Sequence, residues 1–421
     1  MSTVFLVQSE PGFWVSTVAG HVRERGHRPV LLTAPLTRAE REAAAGTVDD
    51  VIELDDITDP VALAAAVRGR SAGGRIMTCA DSVMVATAQA AELLGVAHVP
   101  APVLAGIRNK FAARQAMAAA GVPGPRFALL PSAAAAAAVA AAVGLPAIVK
   151  PVNGAASHGV RAVSTVEELA GAYRELARDL PGSIRGLYDR PFGGLDPTRS
   201  FLVEGRLTGV EHVVDLVVRD GEVAWSRTVG KPIVDESFRE PVIMVPALDL
   251  PGDLEDALHR HARAAVRALG LRDGVAHVEL IDDADLGPAI VEVNASRPGG
   301  GILAVMHELN SGVQLFAEAL AAALGEPRPP RLDPKIAIPV ASVTVFADEA
   351  GRFVRAHGLD KVADLPEVLE VLPVAQPGQV LGGDHEVFGV NVLLTGFSTE
   401  AEVLGLNQEI AGLVHLEIEA L

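Results

Sequence analysis

Two carboxylates lie inside apolar strand-like segments of this chain. Glu279 sits in GVAHVELID, beside Val275, Val278 and Leu280. Glu292 follows thirteen residues on, in AIVEVNASRPGGG, among Ile290, Val291 and Val293. Placing a carboxylate among aliphatic side chains costs several kcal/mol unless a cation meets it. Thirteen residues suit two adjacent strands joined by a turn, which aims Glu279, Glu292 and Asn294 at one point. Oxygen ligands converging in this way suit a hard cation such as Mg²⁺. An acid pair sharing Arg297 as its basic partner is the other reading of these residues.

The rest of the chain must supply a scaffold for such a strand pair. Its 421 residues, 49% of them apolar, allow two to three domains with cores of their own. A strand is expected from Thr3 to Gln8, then a helix carrying Trp14, Val18 and Val22 at helical spacing and ending at Gly26. Strands at 29–34, 48–55 and 75–80, helices at 59–70 and 83–95, and a short strand at 96–100 continue the alternation. That order predicts a parallel α/β sheet covered by helices, Rossmann-like in topology. The first turn, Gln8 to Gly12, lacks the G-x-G-x-x-G dinucleotide fingerprint.

A helix running to Gly121 opens the next unit. An Ala-rich helix follows, with Ser132 as its expected N-cap and Gly144 as its terminator. Ser164 with Glu167 forms a capping-box pattern for the helix over 166–180. Residues 181–199 read as a long loop of the kind that often serves as a lid. Strands turning at Asp220-Gly221, a helix over 253–270, the acidic pair and a helix over 313–324 come next. The expected boundaries are 1–105, 106–200, 201–328 and 329–421, with the last segment a small α/β lobe.

Net charge is 35 − 53 = −18, which argues against a nucleic-acid-binding face. An anionic ligand therefore needs locally placed cations. No leading apolar run of membrane-spanning length and no secretory signal is evident, so a cytoplasmic protein without membrane contact is expected. Cys79, the single cysteine, reads as a packed core residue.

Between two expected strands lies Asn153-Gly154-Ala155-Ala156-Ser157-His158-Gly159, whose small residues let backbone N–H groups approach phosphate oxygens. It is not a Walker loop, and a plain Gly-rich turn fits equally well. Lys150 ends the incoming apolar strand, where a lysine points into a cleft or snorkels out. Glu204 ends another strand, and Glu211 lies seven residues on. Alone, the second cluster reads as a polar hairpin with solvated carboxylates.

Taken in order, these pieces resemble the ATP-grasp superfamily, over roughly Ile107 to Leu324. Glu204, Leu207, Gly209 and Glu211 match E-x-x-L-x-G-x-E, and Glu279, Glu292 and Asn294 match the acid triple of the D-alanine–D-alanine ligases. H-V-E at His277–Glu279, E-V-N-A-x-R-P-G-G-G ending at Gly301, and F-x-E-x-x-x-x-x-P-A from Phe238 to Ala247 are similar to L-amino-acid ligases. The D-alanine ligase pattern has arginine where His277 stands, and Ser296 is an extra residue before Arg297.

The resemblance implies an ATP-grasp fold with a Rossmann-like preceding domain and a small C-terminal lobe. It implies ATP and two Mg²⁺ ions, with Mn²⁺ as the alternative metal. Lys110 and Lys150 would hold the phosphates. Gly154, Ala155, Ala156, Ser157 and Gly159 would belong to the mobile loop over them. Glu204, Gly205 and Leu207 would line the adenine pocket, Glu211 would hold the ribose, and Glu279, Glu292 and Asn294 the metals. The implied chemistry is amide formation between small-molecule carboxylate and amine substrates through an acyl phosphate. Arg297, with Lys231 as a further candidate, would hold the acyl phosphate or the tetrahedral oxyanion, and His277 or Glu240 would be the candidate base; for His277 a supporting contact to Glu279 is the equal alternative. An ATP-grasp carboxylase or purine-pathway-type ligase, and a non-catalytic ATP-binding module, are the rival readings. The resemblance allows a homodimer, and the sequence leaves the oligomeric state open.

Overall fold

Short apolar strands alternating with helices build a parallel sheet at the start of the chain, as the pattern requires. The computed structural model describes residues 2–8, 13–71, 73–96, 98–155, 157–183, 187–188, 190–235, 237–327, 332, 338–347, 349–381 and 388–421. The first unit runs β1 (Thr3–Val7), α1 (Phe13–Glu24), β2 (Arg28–Thr33), α2 (Arg38–Ala45), β3 (Asp50–Glu53), α3 (Pro60–Arg70), β4 (Arg75–Met77) and α4 (Met84–Leu94). Its four strands pair in the order β3-β2-β1-β4, all parallel. Helix starts follow their caps: Asp59 accepts from Val61 N with Pro60 in the first turn, and Thr37 with Glu40 closes a capping box over α2. The sequence pattern had not suggested α2. The short strand expected over 96–100 is absent among the described residues there, since Pro100, which lacks a ladder donor, instead leads into a helix.

The second unit comprises α5 (Ala101–Arg108), α6 (Lys110–Ala119), β5 (Phe127–Leu130), α7 (Ala136–Val143), β6 (Ala147–Pro151), β7 (Arg161–Val163), α8 (Val166–Asp179) and β8 (Phe201–Gly205). The single helix expected up to Gly121 is two. Asn109 leaves helical geometry (φ −85°, ψ 96°), and its side chain accepts from Ala112 N to cap α6. The cap of α8 is shifted by one residue from expectation. Thr165 accepts from Glu168 N, while Glu168 accepts from Ser164 N. Ser132 heads a short 3₁₀ turn before α7 with no side-chain capping bond. The four strands form an antiparallel sheet in the order β5-β8-β6-β7.

The remainder supplies β9 (Gly209–Arg219), β10 (Glu222–Ile233), β11 (Val242–Val245), α9 (Gly252–Ala268), β12 (Gly274–Asp283), β13 (Gly287–Ala295), α10 (Gly301–Ser311) and α11 (Leu315–Leu324). It closes with β14 (Val340–Val345), β15 (Gly351–His357), α12 (Leu359–Ala363), β16 (Val368–Pro373), β17 (Val380–Leu381), β18 (Val390–Leu394), α13 (Glu400–Leu413) and β19 (His415–Glu419). Eight of these strands form one sheet, β13-β12-β9-β10-β11-β14-β18-β16, so the C-terminal strands extend the sheet that carries the acidic pair. Asp220 and Gly221 turn β9 into β10 with φ of 53° and 84°, the hairpin geometry that favours Asp-Gly. Much of GEPRPPRLDP, where a boundary was expected, lies outside the described residues, as do Ser9 to Gly12 of the first turn.

Register decides what the large sheet presents. Asp215 pairs with His277, and His277 with Asn294; Glu279 pairs with Glu292 one step along. Side chains alternate along strands, so Glu211 and Asp215, His277 and Glu279, and Glu292 and Asn294 share one face. On that face α10 packs Leu303 and Met306 against Val213, Val229 and Val245.

Candidate active site

A cavity of about 930 Å³ opens between the four-stranded sheet, this polar face and the ends of β1 and β4. Of the residues singled out from sequence, Lys110, Lys150, Gly154, Ala155, Ser157, Glu204, Gly205, Leu207, Glu211, Lys231, Glu240, His277, Glu279, Glu292, Asn294 and Arg297 line it. Gly159 is not among its lining residues. It adopts φ +75°, and a Cβ there would meet Pro151 and Leu176 at 3.0–3.3 Å, so glycine is required for the turn. Ala156 lies outside the described residues.

At one end, Glu204 on β8 accepts from Arg114 Nε at 2.6 Å and lies 2.6 Å from Lys150 Nζ. Burial alone would raise its pKa, but the two cations hold it at about 2. Arg114 also donates to the carbonyls of Ile290 (2.7 Å) and Val291 (2.9 Å), tying α6 to β13. Sequence reading missed Arg114. Its signal was a lone charge beside the apolar positions Ala113 and Met117 of α6.

Lys110 is the first residue of α6. Its amide donates to Val152 O at 2.7 Å, and its ammonium pairs with Glu292. Burial lowers its pKa, with Arg108 and Lys150 adding to the effect and Glu292 opposing it. The glycine loop is tied on two sides. His158 Nδ1 lies 3.1 Å from the hydroxyl of buried Tyr188, with the rings stacked at 5.7 Å, and Ser157 Oγ donates to Phe238 O at 3.5 Å.

Lys231 is not free to reach across the cavity. Its ammonium donates to Glu211 Oε1 at 2.7 Å and also to Glu240. Although burial opposes it, the surrounding carboxylates raise its pKa well above the ordinary lysine value. Glu240 is therefore ion-paired as the chain stands.

Glu279 and Glu292 lie directly opposite each other, and Asn294 Nδ2 donates to Glu279 Oε1 at 3.4 Å. Burial would raise the Glu279 pKa, yet Lys231 and His277 hold it well below the carboxylate range. His277 donates through Nδ1 to Asp215 Oδ1 at 2.8 Å and turns Nε2 toward Glu279 at 3.5 Å. Burial disfavours the charged ring, but Asp215 and Glu279 push its pKa up to about 9. Asp215 and Glu279 thus favour the charged form of His277.

Among the described residues, no three His, Cys, Asp or Glu side chains group to hold a metal. The candidate set is two carboxylates and an amide oxygen, all hard donors, and it fits Mg²⁺ by chemistry. Arg297 follows Ser296, whose φ of 60° swings the chain away from β13. Its Nε lies 3.0 Å from Asp81 Oδ2, and Arg108 reaches the other oxygen of Asp81 at 3.2 Å. Asp81 was also missed; an acid just past the carboxyl end of a parallel strand was its signal.

Among the described residues, no helix is long and apolar enough to cross a membrane. The model of the ATP-grasp domain matches residues 143–305. Carnosine synthase 1 of Gallus gallus is 36% identical over 214 residues, covering 50% of this chain and 22% of the enzyme. The chain spans less than two thirds of the first curated relatives that it matches. A D-alanine–D-alanine ligase of Aromatoleum aromaticum is 30% identical over 55% of this chain and 70% of its own length. The crystal structure of L-amino acid ligase from Bacillus licheniformis superposes with a TM-score of 0.78 at 21% identity, covering 100% of this chain and 99% of that one, which establishes a shared fold. With a mixed α/β architecture, a matching domain model and a ligase aligned over more than two thirds of its length, the chain belongs to the ATP-grasp family.

Proposed function

We propose that the protein is an ATP-dependent carboxylate–amine ligase that forms an amide bond through an acyl phosphate. The observation that carries this reading is the single cavity joining Lys110, Lys150, the glycine loop, the Glu279–Glu292–Asn294 set and Arg297. ATP-grasp enzymes act on ATP with Mg²⁺, and the relatives' names include carnosine synthase 1 and D-alanine–D-alanine ligase.

In this reading Lys110 and Lys150 hold phosphate oxygens, and Gly154, Ala155, Ala156, Ser157 and Gly159 form the loop over them. Glu204, Gly205 and Leu207 form the adenine wall, with Glu211 toward the ribose. Glu279, Glu292 and Asn294 hold two Mg²⁺ ions, with Mn²⁺ as an alternative. Mg²⁺ bound there neutralises charge on the transferring phosphoryl group. The carboxylate substrate takes the γ-phosphoryl group and ADP leaves. The amine nitrogen then attacks the acyl carbon, the acyl C–O bond breaks, phosphate leaves with that oxygen, and the nitrogen gives up a proton to the departing phosphate. Arg297 steadies the acyl phosphate. The cationic His277 adds positive charge beside Glu279, and no protein nucleophile is required.

The test is ATP turnover with Mg²⁺ and pooled amino acids, with products read by mass spectrometry. ADP, phosphate and a product one water lighter than its two parents are expected. AMP and pyrophosphate would overturn the mechanism. Turnover that requires bicarbonate would instead favour a carboxylase, the activity named for biotin-carboxylase structures of this fold.

A further inference from the structure

Asp215 is buried (1% exposed) on β9 and accepts hydrogen bonds from two histidines. His277 of β12 donates through Nδ1 at 2.8 Å, and His307 of α10 donates through Nε2 at 2.6 Å to the other oxygen. We infer that Asp215 and His307 are positioning residues that fix the His277 imidazole against Glu279. The inference rests on the ligase reading for its effect on rate.

His307 occupies a place where packing alone asks for an apolar side chain. Leu303, Met306, His307 and Asn310 recur at helical spacing, all at most 3% exposed, on the side of α10 that meets the sheet. A buried polar group without a partner costs about 1–3 kcal/mol, so a histidine there needs its bond to Asp215. The ring is also held from the side: Trp225 meets it edge-on, with centroids 5.2 Å apart and planes at 85°.

His277 is confined on its remaining edges. Nε2 lies 3.5 Å from Glu279. A methyl added to Gly299 would lie 2.7 Å from its Cε1 and 2.8 Å from its Nδ1, so the loop after Arg297 packs directly on the ring. Asp215 lies in register opposite His277, takes its Nδ1–H and fixes the tilt of the ring so that Nε2 faces Glu279. His307 locks Asp215 in turn and joins α10, which follows the Arg297 loop, to β9, whose Asp215 holds the His277 ring of the neighbouring strand that carries Glu279.

The test compares His307→Leu, which removes the donor at similar size, with His307→Gln, which keeps an Nε2 donor. Ring-nitrogen NMR spectra of ¹⁵N-histidine-labelled protein are recorded alongside ATP turnover, KM for ATP and thermal unfolding. His307→Leu is expected to displace the His277 ring resonances and lower kcat about 10- to 100-fold with KM for ATP unchanged. His307→Gln should restore both. Should His307→Leu fail to fold, Asp215→Asn carries the same expectation. Unchanged His277 resonances in a folded His307→Leu protein, or identical behaviour of the two His307 variants, overturns the inference. A wild-type protein without ATP turnover would defeat the ligase reading, and the ring spectra would still decide this one.

Discussion

Glu279 and Glu292 face each other directly across β12 and β13, so the ladder itself sets two carboxylates side by side. Like charges in that position destabilise a sheet. The chain offsets the repulsion with Lys110 on Glu292 and with His277 and Lys231 near Glu279.

Replacing both acids, Glu279→Gln with Glu292→Gln, should lower turnover by about 100-fold or more, because a bound metal contributes several kcal/mol of charge stabilisation. Mg²⁺ with nucleotide should raise the Tm of the wild type and leave that of the double variant unmoved. Thermal unfolding with and without EDTA checks this. An equal Mg²⁺ shift in both proteins would remove these residues from the metal site.

Glu204 makes a pH prediction. Its folded pKa of about 2 lies below the ordinary glutamate value of 4.5. The stabilisation is therefore complete above about pH 4.5 and is lost as pH falls toward 2, amounting to about 3 kcal/mol. Glu204→Gln should flatten this limb of the acid-unfolding curve. It should also cost about 3–5 kcal/mol at pH 7, since Arg114 and Lys150 would be left buried without their counter-charge. Urea unfolding at stepped pH reads both effects, and an unchanged acid limb would contradict the assignment.

Tyr188→Phe removes the hydroxyl that meets His158 while keeping the stacked ring. One hydrogen bond is worth about 1 kcal/mol, so KM for ATP should rise about fivefold with kcat nearly constant. Steady-state kinetics over an ATP series decide it. A fall in kcat alone would show that the hydroxyl does not anchor the phosphate loop.

Gly299→Ala would place a methyl 2.7 Å from both the His277 ring and Leu303. Overpacking of this kind costs about 1–3 kcal/mol. The expected result is a lower Tm together with reduced kcat. A variant with full activity and unchanged Tm would show that the loop has room to retreat.

The acid triple was legible in the sequence because charges inside aliphatic strands are conspicuous, and the parallel sheet because its alternation is periodic. Asp215 and Arg114 were not. Asp215 meets His307 across 92 residues and Arg114 meets Glu204 across 90, and neither carries a local pattern that names its partner. The break at Asn109 went unseen because no glycine or proline marks it. The cap of α8 slipped by one because Ser164-Thr165 and Glu167-Glu168 offer two equivalent frames. Lys231 lines the cavity, but its partners Glu211 and Glu240 emerge only from the β9–β10 register and the loop that follows.

The joining of β11 to β14 has a consequence for truncation. Val242–Val245 bond in register to Val340–Val343, and β18 and α13 cover Val242 and Met244 with Val390, Val392 and Val403. A chain stopped near Gly325 would leave β11 as an open edge with aliphatic residues bared on its flank, a template for pairing with other molecules. Residues beyond 338 thus act as the seal of the sheet that carries the acidic pair, and their removal is expected to yield aggregates rather than a smaller folded protein.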